Sequence, residues 1–180
     1  MKIVLIVVMV IVAIVVLLLV IALFVKKDYS IEREVVINKP KQEVFEFIKY
    51  LKNQDKYSKW ATMDPAMKQE FTGTDGTVGF VSAWDSDKKD VGKGSQKITK
   101  ITEGEKVDYE IHFIKPFEGL ANAYITTEAI SGSNQTRVKW GFKSRMNYPM
   151  NLMLLFMDME KMVGNDLSVG LGNLKGLLEK

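Results

Sequence analysis

The stretch Val107–Met146, VDYEIHFIKPFEGLANAYITTEAISGSNQTRVKWGFKSRM, decides the fold. In its first run Val107, Tyr109, Ile111 and Phe113 share one face, and Asp108, Glu110 and His112 share the other. In its last run Val138, Trp140, Phe142 and Met146 stand against Arg137, Lys139, Lys143 and Arg145. A period of two is the mark of a strand buried on one face only. Between the runs lie Pro116-Phe117-Glu118-Gly119 and Ser131-Gly132-Ser133-Asn134, which are turn residues. Connections this short join neighbouring antiparallel strands, so the stretch is a meander of three strands, the middle one spanning 120–130.

Working outward, the same pattern continues upstream as strands over 67–74, 79–85 and 93–102, separated by Gly73-Thr74-Asp75-Gly76, Asp85–Asp90 and Glu103-Gly104-Glu105. Further upstream Tyr29, Ile31, Val35 and Ile37 alternate in an opening strand. Asn38 and Pro40 then mark a helix start, and Val44, Phe45, Phe47, Ile48 and Leu51 give that helix an apolar stripe. The pattern fades in the polar stretch Asn53–Lys59 before Trp60.

Downstream, Leu152, Phe156, Met159, Val163, Leu167, Leu171, Leu174 and Leu178 recur every three or four residues, which predicts one long amphipathic helix over 149–179. Its first half is apolar nearly all round. Its second half holds Gly164, Gly170, Gly172 and Gly176, which points to close packing or a bend. The fold class is therefore α+β: a curved antiparallel sheet of about seven strands wrapped around the long C-terminal helix, the one element apolar enough to fill its concavity.

Residues 3–25 contain no charged or strongly polar side chain, and 23 helical residues at about 1.5 Å each span a hydrocarbon core of about 30 Å. Fourteen of them are Val or Ile, strand formers in water, but in lipid only a helix satisfies its own backbone. A cleaved signal peptide has a shorter apolar run, about 7–15 residues, and a small-x-small cleavage site; this run ends Ala22-Leu23-Phe24-Val25-Lys26-Lys27. The reading is an uncleaved single-pass anchor at 1–27, followed by one domain at 28–180. Lys26, Lys27, Arg33, Lys39 and Lys41 outnumber Lys2 across the span and lean towards a cytoplasmic domain.

The charge balance narrows the function. Lys2, Lys26 and Lys27 account for three of the 25 basic residues, and no acid precedes Asp28, so residues 28–180 hold 22 bases and 22 acids. That neutrality speaks against a nucleic-acid partner. With no Cys and a single His, thiol chemistry and His- or Cys-built metal sites are excluded, and no metal or cofactor is expected.

The domain resembles the SRPBCC superfamily of START-like, polyketide cyclase/dehydrase and lipid-transport domains. The resemblance lies in Ile37-Asn38-Lys39-Pro40 with the Val44-Phe45 helix, Trp60 with Met63-Asp64-Pro65, Val78-Gly79-Phe80 with Trp84, and Val91-Gly92-Lys93-Gly94. It continues in Phe113–Pro116, Thr136–Trp140 and Gly170-Leu171 with Leu174-Lys175. It implies a helix-grip fold with an apolar cavity between sheet and helix that binds hydrophobic molecules or, in some relatives, catalyses cyclisation or hydrolysis. The anchor lies outside that pattern.

With such a cavity, the ligand-lining candidates are the inner-face residues Tyr109, Ile111, Phe113, Ala123, Ile125, Trp140 and Phe142, together with Trp84, Met153 and Met157. Six of the ten Met residues fall between 146 and 162, where flexible thioethers suit either a core or a cavity wall. His112 falls on the outer face, and no residue is singled out as catalytic. The row Arg137, Lys139, Lys143 and Arg145 reads as a solvated face, with contact to anionic headgroups as the other reading. The expected function is membrane-anchored binding of a hydrophobic or lipid-like small molecule by a monomer. The alternatives are a cyclase- or hydrolase-like enzyme and a protein-interaction platform.

Overall fold

The computed structural model describes residues 1–180. Helix α1 (Lys2–Phe24) is exposed along its whole length except at Ala22. By length and composition it is suited to a membrane span or a signal sequence. Strand β1 (Asp28–Ile37), helix α2 (Lys41–Ile48), a 3-10 turn (Leu51–Lys56) and the short helix α3 (Lys59–Met63) follow. Strands β2 (Lys68–Thr72), β3 (Val81–Asp85), β4 (Lys93–Thr102), β5 (Lys106–Lys115), β6 (Gly119–Ala129) and β7 (Thr136–Arg145) come next. A second 3-10 turn (Met150–Leu155) precedes helix α4 (Met159–Leu178).

The seven strands form one antiparallel sheet in the order β1-β7-β6-β5-β4-β3-β2. Every neighbouring pair is sequential except β1 with β7, which the meander brings back beside the opening strand. Register shifts between Lys93 and Gly94 and between Ile98 and Lys100 interrupt the β4–β5 ladder, and such bulges bend a sheet. Cross-strand partners line up the apolar face: Val107 with Ile125 and Ile125 with Trp140, then Tyr109 with Ala123 and Ala123 with Phe142. Together with α2 and α4 this face forms a single buried cluster, in which Val44, Phe45 and Ile48 are the contribution of α2 and Leu167, Leu171 and Leu174 that of α4.

The α+β architecture is as expected; the C-terminal helix is not continuous. Asp158 caps α4 by accepting from the Lys161 amide at 2.9 Å, and residues 150–155 form a separate turn. An all-round apolar first half has no polar face to leave in water along the sheet. It packs instead against the end of α1, where Asn151, fully buried, donates through Nδ2 to the carbonyls of Ala22 at 2.7 Å and Val25 at 3.0 Å. These are end carbonyls that α1 cannot satisfy itself. In the second half, Gly170 does pack closely: a Cβ there would stand 2.7 Å from Cζ3 of Trp140.

Candidate ligand cavity

A cavity of about 330 Å³ lies between the sheet and α4. Its floor is the inner face of β5–β7, with Ile111, Phe113, Ala123, Trp140 and Phe142. Met159, Val163 and Leu167 of α4 form the opposite wall, and Gln54, Asp55, Ser58 and Trp60 from the 3-10 turn and α3 close the side. This side is fastened to α4 by the ion pair Lys59–Asp166 and by Asn173 Nδ2 donating to the Tyr57 carbonyl at 3.1 Å. Asp75, from the β2–β3 turn, accepts the amides of Leu51 at 2.8 Å and Lys52 at 3.1 Å, and so caps the free start of the turn.

The aromatic lining is held ring to ring. Trp60 meets Trp140 edge-on at 6.3 Å, Trp84 meets Phe113 edge-on at 6.4 Å, and Phe142 lies 6.4 Å from Phe113 and 6.2 Å from Tyr29. Trp84 reaches across β4 because position 94 has no side chain: a Cβ on Gly94 would come 2.6 Å from its Cζ2. Its indole Nε1 donates to the Val91 carbonyl at 3.3 Å. All three Trp residues of the chain line this one cavity.

The polar part of the wall is smaller than the apolar part and includes four charged residues, Asp55, Lys89, Asp90 and Lys115. Gln54, Gln69, Gln96, Ser58 and Ser82 offer amides and hydroxyls. Gln54 is 7% exposed, and its Nε2 has no hydrogen-bond partner. Asp55, next to Gln54 in the chain, is the charged wall residue bonded to this amide cluster, accepting from Gln69. Desolvation raises its carboxyl pKa, opposed by the Gln69 Nε2 bond of 2.8 Å. Burial also raises the hydroxyls of Tyr57 and Tyr109. Nearby, Ser86 donates to Asp64 and holds that carboxyl below its ordinary value, tying the β3–β4 loop to the end of α3.

Of the side chains expected to line a cavity, Trp84, Ile111, Phe113, Ala123, Trp140 and Phe142 do so. Tyr109 and Ile125 lie on the same sheet face but within the packed core. Met153 and Met157 lie outside the cavity: the break before Asp158 places Met153 in the turn against α1 and Met157 in a cleft beside it. The α4 side chains on the wall are Met159, Val163 and Leu167. His112 is on the outer face, 44% exposed and 3.6 Å from Glu118. In the basic row, Arg137 pairs with Glu34 at 3.6 Å and Glu128 at 3.5 Å, and Arg145 with Asp28 at 3.2 Å, as a solvated face does. Asp55 and Gln54 carried no sequence signal beyond belonging to a polar stretch.

No protein-family model matches the sequence, and no curated protein matches it. Solved structures do match in fold. Norcoclaurine synthase from Thalictrum flavum, in complex with dopamine and hydroxybenzaldehyde, superposes with a TM-score of 0.62 at 11% identity, over 88% of this chain and 90% of that one. The Aha1 dimer from Colwellia psychrerythraea gives 0.57 at 18% identity, over 84% and 96%. Ara h 8.0201 gives 0.53 at 16%, over 83% and 99%. The chain therefore shares the helix-grip fold of these proteins.

Proposed function

We propose that this chain binds a hydrophobic or lipid-like small molecule between its sheet and α4 while α1 anchors it to a membrane. The carrying observation is the cavity: about 330 Å³, walled mainly by aromatic and aliphatic side chains, with amides, hydroxyls and Asp55 among its polar groups and Lys89, Asp90 and Lys115 on its exposed wall. Ligand pockets of about 300–1,000 Å³ have this composition, in which apolar walls supply affinity and few polar groups set orientation. The unpartnered Nε2 of the nearly buried Gln54 favours a ligand that brings a hydrogen-bond acceptor. Norcoclaurine synthase, of the same fold, holds two aromatic molecules.

The anchor reading, with 28–180 as the binding domain, is supported by Asn151. Its buried Nδ2 donates to the carbonyls of Ala22 and Val25 at the end of α1, so cleavage after the apolar run would strip the amide of those partners. The lysine and arginine count across α1 favours a cytoplasmic domain.

Because all three Trp residues line the cavity, intrinsic fluorescence reads its occupancy directly. Titration of the detergent-solubilised full chain with a dibrominated fatty acid should quench Trp emission saturably, and Phe142→Lys should abolish the saturable part by placing an unpaired charge on the floor. Quenching that never saturates, or that persists unchanged in Phe142→Lys, would refute the proposal.

A second reading is favoured by Asp55, a carboxyl on the cavity wall with a raised pKa, the property of a general acid. In that case the domain is a cyclase- or hydrolase-like enzyme on an apolar substrate, and turnover of such a substrate would be lost in Asp55→Asn with binding retained.

A further inference from the structure

The Met-rich segment that the cavity does not use lies at a defined place. Asp28 pairs with Arg145, Phe113 with Gly119, and the Met146 amide donates to the Lys27 carbonyl at 2.9 Å. The end of α1, the β5–β6 turn and residues 146–158 therefore share one end of the sheet. Residues 146–157 contain no charged side chain, yet Phe156 is 79% exposed and Leu155 56%, beside an exposed Phe24 at the end of α1. Phe117, in the β5–β6 turn, is 65% exposed. Asn151 fixes the segment to the last turn of α1, at the height where the apolar run gives way to Lys26 and Lys27.

The cavity reaches the same end. Four of its exposed wall residues are there, Lys89 and Asp90 in the β3–β4 loop, Lys115 at the end of β5 and Pro116 in the β5–β6 turn; the fifth, Gln69, is on the edge strand β2. Tyr29 and Met159 line both the cavity and the cleft formed by Ile21, Phe24 and Val25 of the α1 end with residues 154–160.

We infer that residues 148–157 sit in the interfacial layer of the bilayer that α1 crosses, and that the ligand passes between this layer and the cavity past Tyr29 and Met159. The inference rests on reading α1 as a membrane span. An exposed apolar patch in water is costly, whereas one held level with the end of a spanning helix and flanked by lysines is already at the lipid boundary. Tyr148 at that height is an aromatic side chain of the kind such a boundary favours, and Leu155 and Phe156 are the apolar side chains that an interfacial segment buries in it. A lipid surface is the occupant that the continuity with α1 selects.

The chain has no Cys, so single probes are clean. Bimane-labelled Leu155→Cys, Phe156→Cys and Phe117→Cys variants of the full chain are reconstituted in phosphatidylcholine vesicles containing a quarter phosphatidylglycerol and lipid with a nitroxide on acyl carbon 5. Ala13→Cys, within α1, reports the span; Ser133→Cys, in the β6–β7 turn at the far end, is the control. Quenching at 155 and 156 should exceed that at 133 several-fold. Quenching at 13 with none above the control at 155 and 156 overturns the inference and leaves the span intact. No quenching at 13 overturns both. A disulfide between two copies through Phe156→Cys, without quenching, makes the patch a protein contact and also overturns it. In unlabelled protein, Leu155→Asp with Phe156→Asp should slow transfer of a fluorescent fatty acid from vesicle to cavity several-fold, with the amount bound at equilibrium unchanged; an unchanged rate contradicts the proposed route.

Discussion

Replacing Asn151 by Asp tests how tightly the end of α1 is joined to the domain. The substitution keeps size and shape but replaces a donor of two hydrogen bonds, at 2.7 and 3.0 Å to the carbonyls of Ala22 and Val25, with a carboxyl in a fully buried position. An ionised carboxylate facing two carbonyl oxygens has nothing to accept from, so the docked state keeps the group protonated. Against an ordinary Asp pKa near 3.9, holding the proton at pH 7 costs about 4 kcal/mol, roughly three units at about 1.4 kcal/mol each. A protonated carboxyl donates once, so one carbonyl loses its partner, for about 1 kcal/mol more.

The docked-state pKa is raised; docking is therefore least impaired below about pH 4 and weakens as pH rises, by about 5 kcal/mol at pH 7. The readout is hydrogen exchange at the amides of Asn151, Leu152, Phe156 and Met157, all bonded within the segment, corrected for intrinsic exchange at each pH. Protection in the variant should fall on the order of a thousandfold at pH 7, or until the segment exchanges as free loop, and about tenfold or less near pH 3.5. Protection at pH 7 equal to the wild type would refute the reasoning.

Four further outcomes follow from the geometry. Gly170→Ala should lower stability in urea by about 1–3 kcal/mol, because its Cβ displaces the Trp140 ring at 2.7 Å. Asp55→Asn should raise the melting temperature at pH 7 and not at pH 3: the raised folded-state pKa means that wild-type stability is fullest below the unfolded value and falls as pH rises through the folded one. Met153→Lys and Met157→Lys should leave fatty-acid binding intact, whereas Ile111→Lys should abolish it, since only Ile111 is on the cavity wall. His112→Ala should leave binding and any turnover unchanged; loss of a turnover that the wild type shows would bring the outer sheet face into the chemistry.

The strands were legible because each writes its burial in alternation. Val107, Tyr109, Trp140 and Phe142 are inside, and His112 is outside, from parity alone. The helical stripe Leu167, Leu171 and Leu174 was legible for the same reason at a period near 3.6. The break before Asp158 was not, because Leu152, Phe156 and Met159 keep helical spacing through it and the cause, Asn151 against Ala22, joins residues far apart in sequence. Tyr109 and Ile125 show the limit of facial reasoning: parity separates inside from outside, but whether an inner side chain meets a neighbour or an open space depends on what α2 and α4 place opposite. Asp55 and Gln54 stayed hidden because a polar stretch looks solvated until Asp75 and α4 fold it over the sheet.

Native mass spectrometry of the full chain, released from detergent after gentle extraction from membranes, tests the central claim most directly. The account predicts a second species heavier than the chain by one small apolar molecule, displaced by added fatty acid and lost in Ala123→Phe, whose ring fills part of the cavity. A bare chain that neither retains such a molecule nor takes up a fatty acid, or an adduct unchanged in Ala123→Phe, would contradict it.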